Sequence, residues 1–136
     1  MKLLTTSIRE RLLRNGRIQA ALAEEGQEFA DLIPVVKLFT PDAGCTWLLT
    51  ELDPEEPDIA FGLCDLGLGC PELGTVRISE LESVRGALGL PVERDRYFAA
   101  MHTLSVYARA AWNAAAITEN TQALAQAAAV AASGAS

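Results

Sequence analysis

Seven carboxylates crowd the middle of the chain: Asp42, Glu51, Asp53, Glu55, Glu56, Asp58 and Asp65. Paired carboxylates can split their pKa values and act as acid and base, and acids gathered on one surface attract a basic partner. Asp53 to Asp58 reads Asp-Pro-Glu-Glu-Pro-Asp, a proline-punctuated turn in which solvated carboxylates are ordinary. Asp65 ends an apolar run beside glycines, a place suited to capping the following turn. The alternative is an acid–base role with Glu51 and the one histidine, His102. Trp47 offers a different chemistry. It is either a core aromatic or an anchor for a partner, with acids on its rim. Cys45, Cys64, Cys70 and His102 would make a zinc-type Cys₃His set, but their gaps of 19, 6 and 32 positions contain no close cysteine pair. Gly67-Leu68-Gly69 and Gly74 depart from a dinucleotide fingerprint, because Pro71 intervenes and a strand rather than a helix follows. No G-x-S-x-G elbow is present. No catalytic residue, metal or cofactor is assigned.

Charge is segregated along the chain. Residues 1–20 carry Lys2, Arg9, Arg11, Arg14 and Arg17 against Glu10, a balance of +4. Residues 21–82 stand at −12, and residues 83–136 at +1, which returns the formal net charge of −7. The four N-terminal arginines are a solvated helix face or a contact for phosphates or an acidic partner.

The elements that must position these groups follow from periodicity and punctuation. Residues 5–25 read as a helix capped by Thr5, Thr6 or Ser7, with a stop or kink at Asn15-Gly16. Residues 23–33, acidic and containing Gly26, read as a loop. Strands are predicted over 34–40, 45–52, 59–66 and 75–79, with a glycine-rich link over 67–74. Short links favour an antiparallel meander. Ser79 and Glu82 fit a capping box opening a short helix, and one long alanine-rich helix is predicted from Leu104 to about Ala132. The expected fold is a single α+β domain over 1–110, with a four-stranded, mainly antiparallel sheet covered on one face by the N-terminal and C-terminal helices. Residues 111–136 form an Ala-rich C-terminal helix or tail. The expected core is Ile8, Leu12, Val36, Leu38, Leu48, Phe61, Leu63, Val76, Ile78, Leu81, Leu104 and Tyr107. With 136 residues, half of them hydrophobic, the chain is sized for one core without staples.

The opening MKLLT-x-x-IRERLL-x-NG, the central PVVKLFTPDAG-x-TWLLTELDPEEPDIAFGLCDLGLG-x-PELG and the stretch LGLPVERD-x-YF resemble a bacterial family of uncharacterised single-domain proteins, a domain of unknown function. Members are commonly encoded on plasmids, integrative conjugative elements and related mobile DNA. The resemblance covers about residues 1–110, and it carries no catalytic residues.

The function expected is that of a small acidic accessory protein of a mobile element, acting by macromolecular binding. A specific form is anti-defence, in which the acidic segment occupies the basic nucleic-acid groove of a CRISPR or restriction complex. The expected partner is a protein or ribonucleoprotein with a basic surface. A small hydrolase or nucleotide-binding enzyme, and a DNA-associated regulator using the first helix, are the alternatives. Homo-oligomerisation through the C-terminal helix stays open. With three cysteines, no secretory leader in the opening residues and no apolar span of membrane length, a cytoplasmic location with reduced thiols is expected.

Overall fold

A computed structural model describes residues 3–133. The first helix, α1 (Thr6–Glu24), starts where Thr5 Oγ1 accepts the Ile8 amide at 3.1 Å. It buries Leu12, Gly16 and Gln19, a stripe at helical spacing. Asn15-Gly16 does not stop the helix. Asn15 Nδ2 donates to the Thr50 carbonyl at 2.8 Å, and a Cβ on Gly16 would lie 1.8 Å from the Leu52 carbonyl oxygen. Glycine is there to let helix and strand backbones touch.

The strands are β1 (Val36–Phe39), β2 (Thr46–Leu52), β3 (Ile59–Asp65), β4 (Glu72–Arg77) and β5 (Glu93–Arg94). They form a five-stranded antiparallel sheet in the order β4-β3-β2-β1-β5. The sheet has one more strand than expected: β5 has two residues, too few for an alternating pattern to register. The glycine-rich link is shorter than predicted, because β4 begins at Glu72 and Gly74 pairs with Gly62.

The helices lie on both faces, not one. Val36, Leu38, Trp47, Leu49, Leu52 and Ala60 join Leu12 of α1 and Ile78 and Leu81 of α2 (Ile78–Ser83) in one core. Leu48 and Leu63 join α3 (Leu104–Ala114) and α4 (Thr121–Ala132) in a second. The reason stands in β2, where Trp47, Leu48 and Leu49 are consecutive and all buried. Successive residues of a strand point to opposite faces, so an unbroken apolar run needs cover on both. Of the expected core, Ile8, Phe61 and Val76 are half-buried at the cluster margins, and the other nine are buried.

Two further predictions are corrected. The Ser79–Glu82 capping box does not form: the Ser79 amide and hydroxyl both bond the Asp58 carboxylate, and Glu82 takes the Leu3 amide. The long C-terminal helix breaks in two. Ala115 adopts a left-handed φ of 61° as the cap of α3, and Asn120 Oδ1 accepts the Ala123 amide to start α4. A division at residue 110 therefore falls inside α3. The alanine-rich segment is packed, with Leu124 and Ala127 of α4 buried against α3. Residues 134–136 lie outside the described part. Among the described residues, no helix is long and apolar enough to cross a membrane.

Candidate functional site

The acids that crowd the sequence have three different fates. Asp42 and Asp65 fasten the fold internally. The Asp42 carboxylate accepts the Leu88 and Leu90 amides at 2.6 and 3.3 Å, pinning the loop after α2 to the β1–β2 turn. Its Oδ1 is buried without a hydrogen-bond partner, and a Cβ on Gly86 would lie 1.6 Å from it. Asp65, 4% exposed, accepts the Gly67 amide on one oxygen and the Ile117 amide on the other, both at 2.9 Å. The first bond is the expected turn cap. The second reaches across to the α3–α4 link, a partner that sequence distance conceals. Trp47 is likewise interior, 4% exposed and paired with Leu38 and Cys64, so it presents no anchor to a partner.

Glu56 and Asp58 have local partners. Both face the Arg77 guanidinium, at 3.1 and 3.7 Å. Hydrogen bonds from the Ser79 hydroxyl and amide, with Arg77 alongside, hold the Asp58 carboxyl below the ordinary range.

Glu51 and Asp53 line a groove, and Glu55 stands in the turn beside it. β2 slips register between Leu49 and Glu51, so the alternation that would set Glu51 on Trp47's side is broken at Thr50. Glu51 is half-buried and accepts from the Thr50 hydroxyl at 2.9 Å and from Gln19 Nε2 at 3.4 Å. Burial pushes its carboxyl above the usual range against the pull of those two bonds. Asp53 and Glu55 are exposed, and Asp53 Oδ1 accepts the Glu55 amide.

The groove measures about 300 Å³ and runs between the second half of α1 and the β2–β3 end of the sheet. Ala20, Ala23, Phe29, Ile59 and Phe61 give its lining apolar groups, and Glu51 and Asp53 give it carboxylates. Phe29 is 73% exposed. It sits in the loop after α1, which Gln19 clamps: the buried amide side chain donates to the Ala30 carbonyl at 2.8 Å and accepts the Ala30 amide at 2.9 Å. That clamp holds the residue next to Phe29 in place. Glu24, Glu25 and Glu28 are exposed on the same stretch of chain. Sequence reasoning missed Phe29; the signal was a large aromatic set among acids in a segment otherwise read as plain loop. An apolar lining that also holds carboxylates suits a lysine or arginine side chain, whose stem packs while its charge meets an acid. An exposed aromatic adds cation–π attraction.

The alternative acid–base group does not assemble. Glu51 pairs with Phe61 and Asp65 ends the same strand four positions on, a span of roughly 13 Å at the usual strand rise. His102 packs edge-on against Tyr107, and no hydrogen bond joins it to Glu51 or Asp65 among the described residues. The cysteines are free thiols. Cys45 and Cys64 border the α1-side core, where burial pushes the Cys64 thiol up, and Cys70 is exposed. Among the described residues no three potential metal ligands are gathered. Arg9, Arg11, Arg14 and Arg17 are all exposed on α1, and Arg11 and Arg14 border grooves toward β1 and β5.

The chain belongs to a family described as a protein of unknown function, DUF2958, whose model matches residues 3–118. That span takes in α1, the whole sheet, α2, α3 and the link whose Ile117 amide Asp65 holds. α4 falls outside it. No curated protein and no solved structure matches the chain.

Proposed function

We propose that this DUF2958 protein is a binding protein whose partner presents a basic segment, and that the groove between α1 and the β2–β3 end receives it. The observation that carries the reading is the clamped loop, which exposes Phe29 in a groove whose lining joins apolar side chains to Glu51 and Asp53. An exposed aromatic with no core to fill is the kind of residue that anchors interfaces. The acids around it supply attraction to a cationic surface and speed its encounter. A basic protein or ribonucleoprotein surface fits that chemistry. The resemblance to proteins of mobile DNA supports a narrower form, an accessory or anti-defence protein whose target is the nucleic-acid groove of a defence complex.

The test is capture from bacterial cells followed by mass spectrometry, run in parallel with wild type, Phe29→Ser and Asp53→Lys. Both side chains are exposed at the groove, and because Asp53→Lys gives up the Glu55 amide, the circular dichroism and Tm of each variant are matched to wild type before capture. A basic partner recovered by wild type and reduced at least about tenfold by either variant supports the reading, the scale expected for an interface anchor. Equal recovery by all three proteins, or no recovery by any, rejects it. The anti-defence form further requires that wild type, but not Asp53→Lys, inhibit cleavage by a defence nuclease in vitro.

A further inference from the structure

Three grooves run on from one another along the β5 side of the molecule, and shared arginines join them. The first is lined by Arg11 and Arg14 of α1. The second shares Arg11 and adds Arg94 and Arg96. The third shares Arg94 and Arg96 and adds Arg85. A further hollow opens from Arg94 and Arg96 toward Lys37 and Tyr97, whose ring is 96% exposed. Five of the nine arginines thus lie on one track in a protein of net charge −7.

Their pairing is as uneven as their placement. Among the described residues the ion pairs belong to Lys37 and Arg77, and none involves an arginine of the track. Four carboxylates share the groove walls, and three of them accept hydrogen bonds from groups other than these arginines. Asp31 takes the Ser105 amide and hydroxyl, Asp95 faces Lys37 and takes the Tyr97 amide, and Glu82 takes the Leu3 amide. Glu93 is the remaining wall acid. Guanidinium groups without carboxylate partners, lined up along grooves, suit the phosphates of a polyanion.

We infer that this track binds single-stranded nucleic acid, with the arginines following the phosphate backbone and an unpaired base stacked on Tyr97. The exposed ring decides between strand types. Base–aromatic stacking requires a base out of its duplex and is tolerant of sequence. The track does not depend on the Phe29 groove, so either surface can fail without the other.

The test is fluorescence anisotropy of the full chain with labelled mixed-sequence DNA and RNA oligonucleotides at about 50 and about 200 mM salt. Arg11→Glu and Arg96→Glu are the informative variants, because both residues are exposed and donate no hydrogen bond within the described protein. Arg94 is left intact because it donates to the Leu3 carbonyl. Wild type is expected to bind single strands with an affinity that falls as salt rises. Each reversal is expected to weaken binding about tenfold or more and to lower the salt slope by about 1. Tyr97→Ala is expected to weaken single-strand binding about tenfold without changing that slope. The double variant Arg9→Glu/Arg17→Glu is expected to lose much less than the double Arg11→Glu/Arg96→Glu, which makes the same charge change on the track. Absence of binding at the lower salt overturns the inference. So does an equal loss in the Arg9/Arg17 control, tighter binding of duplex than of single strands, or preference for polyglutamate, which would make the ligand an acidic polypeptide.

Discussion

The two faces of the sheet are built on different plans. The α1 side is filled by large aliphatic side chains and Trp47, with Leu12, Leu38, Leu49 and Leu52 essentially inaccessible, and the helix lies so close that only glycine fits at position 16. The α3–α4 side mixes small and large residues: Ala108, Ala110, Ala111 and Ala127 pack with Leu48, Leu63, Leu104, Val106, Tyr107 and Leu124. The alanines bury little area, so they contribute little of the hydrophobic stabilisation that scales with area. Polar fasteners add to the attachment. Asp65 holds the Ile117 amide, Lys37 pairs with Glu119 and Asp95, Asp31 holds Ser105, and Trp112 Nε1 donates to the Pro71 carbonyl. On this face hydrophobic burial is supplemented by specific bonds, each directional and each dependent on one residue.

That contrast can be broken experimentally, and the largest effect belongs to the α1 face. Gly16→Ala places a methyl group against the Leu52 carbonyl, at a point where neither backbone can yield alone. A loss of about 3 kcal/mol or more in urea denaturation is expected, with protection from hydrogen exchange lowered across the whole domain. A loss under about 1 kcal/mol would mean that the helix rides free of the strand, and the distinction between the faces would fail.

Asp65→Ala comes next. It leaves the Gly67 and Ile117 amides without their acceptor inside the protein, an omission that costs about 2 kcal/mol. Its signature is local: residues 104–132 should lose hydrogen-exchange protection while α1 keeps most of its own. Uniform loss would show that the fasteners serve the entire core and not one face.

The smallest effects lie at two carboxylates, Asp58 of the acidic turn and Glu51 of β2, that are shifted in opposite directions. Asp58, held low by Ser79 and Arg77, stabilises the fold fully above its unfolded pKa, and that contribution is lost as pH falls through its lower folded value. Asp58→Asn should therefore flatten the acid side of a Tm–pH curve. Glu51, held high by burial, opposes folding when charged, so its cost is relieved as pH falls from neutral through its raised folded value. Glu51→Gln should raise Tm slightly near pH 7 and remove that relief. If both substitutions move the curve in the same direction, the two environments are not as distinct as their contacts indicate.

Much of the fold was legible in residues 34–66. Proline and glycine punctuation bounded β1, β2 and β3, and hydrophobic residues within them named most of the core. The acidic site was legible only as a count of charges. Asp65 could be read as a turn cap from its glycine neighbours, but the remote partners of Asp42, Glu51 and Asp65, namely Leu88, Gln19 and Ile117, could not be read from sequence. Phe29 was passed over because a loop residue's exposure depends on what clamps the loop, and the clamp is Gln19 on another element.

The sequence by itself determined the α+β composition, the order of strands in the meander and the segregation of charge, because these depend on residue type and local spacing. Tertiary structure decided which face each helix covers, that the alanine-rich segment turns back at Ala115, and which acids are spent inside the fold. It also brought Arg11 and Arg14 of α1 to the same track as Arg94 and Arg96. Those outcomes rest on pairings between residues dozens of positions apart. Local propensity carries no record of such pairings, because their free energy exists only once the chain has brought both partners together.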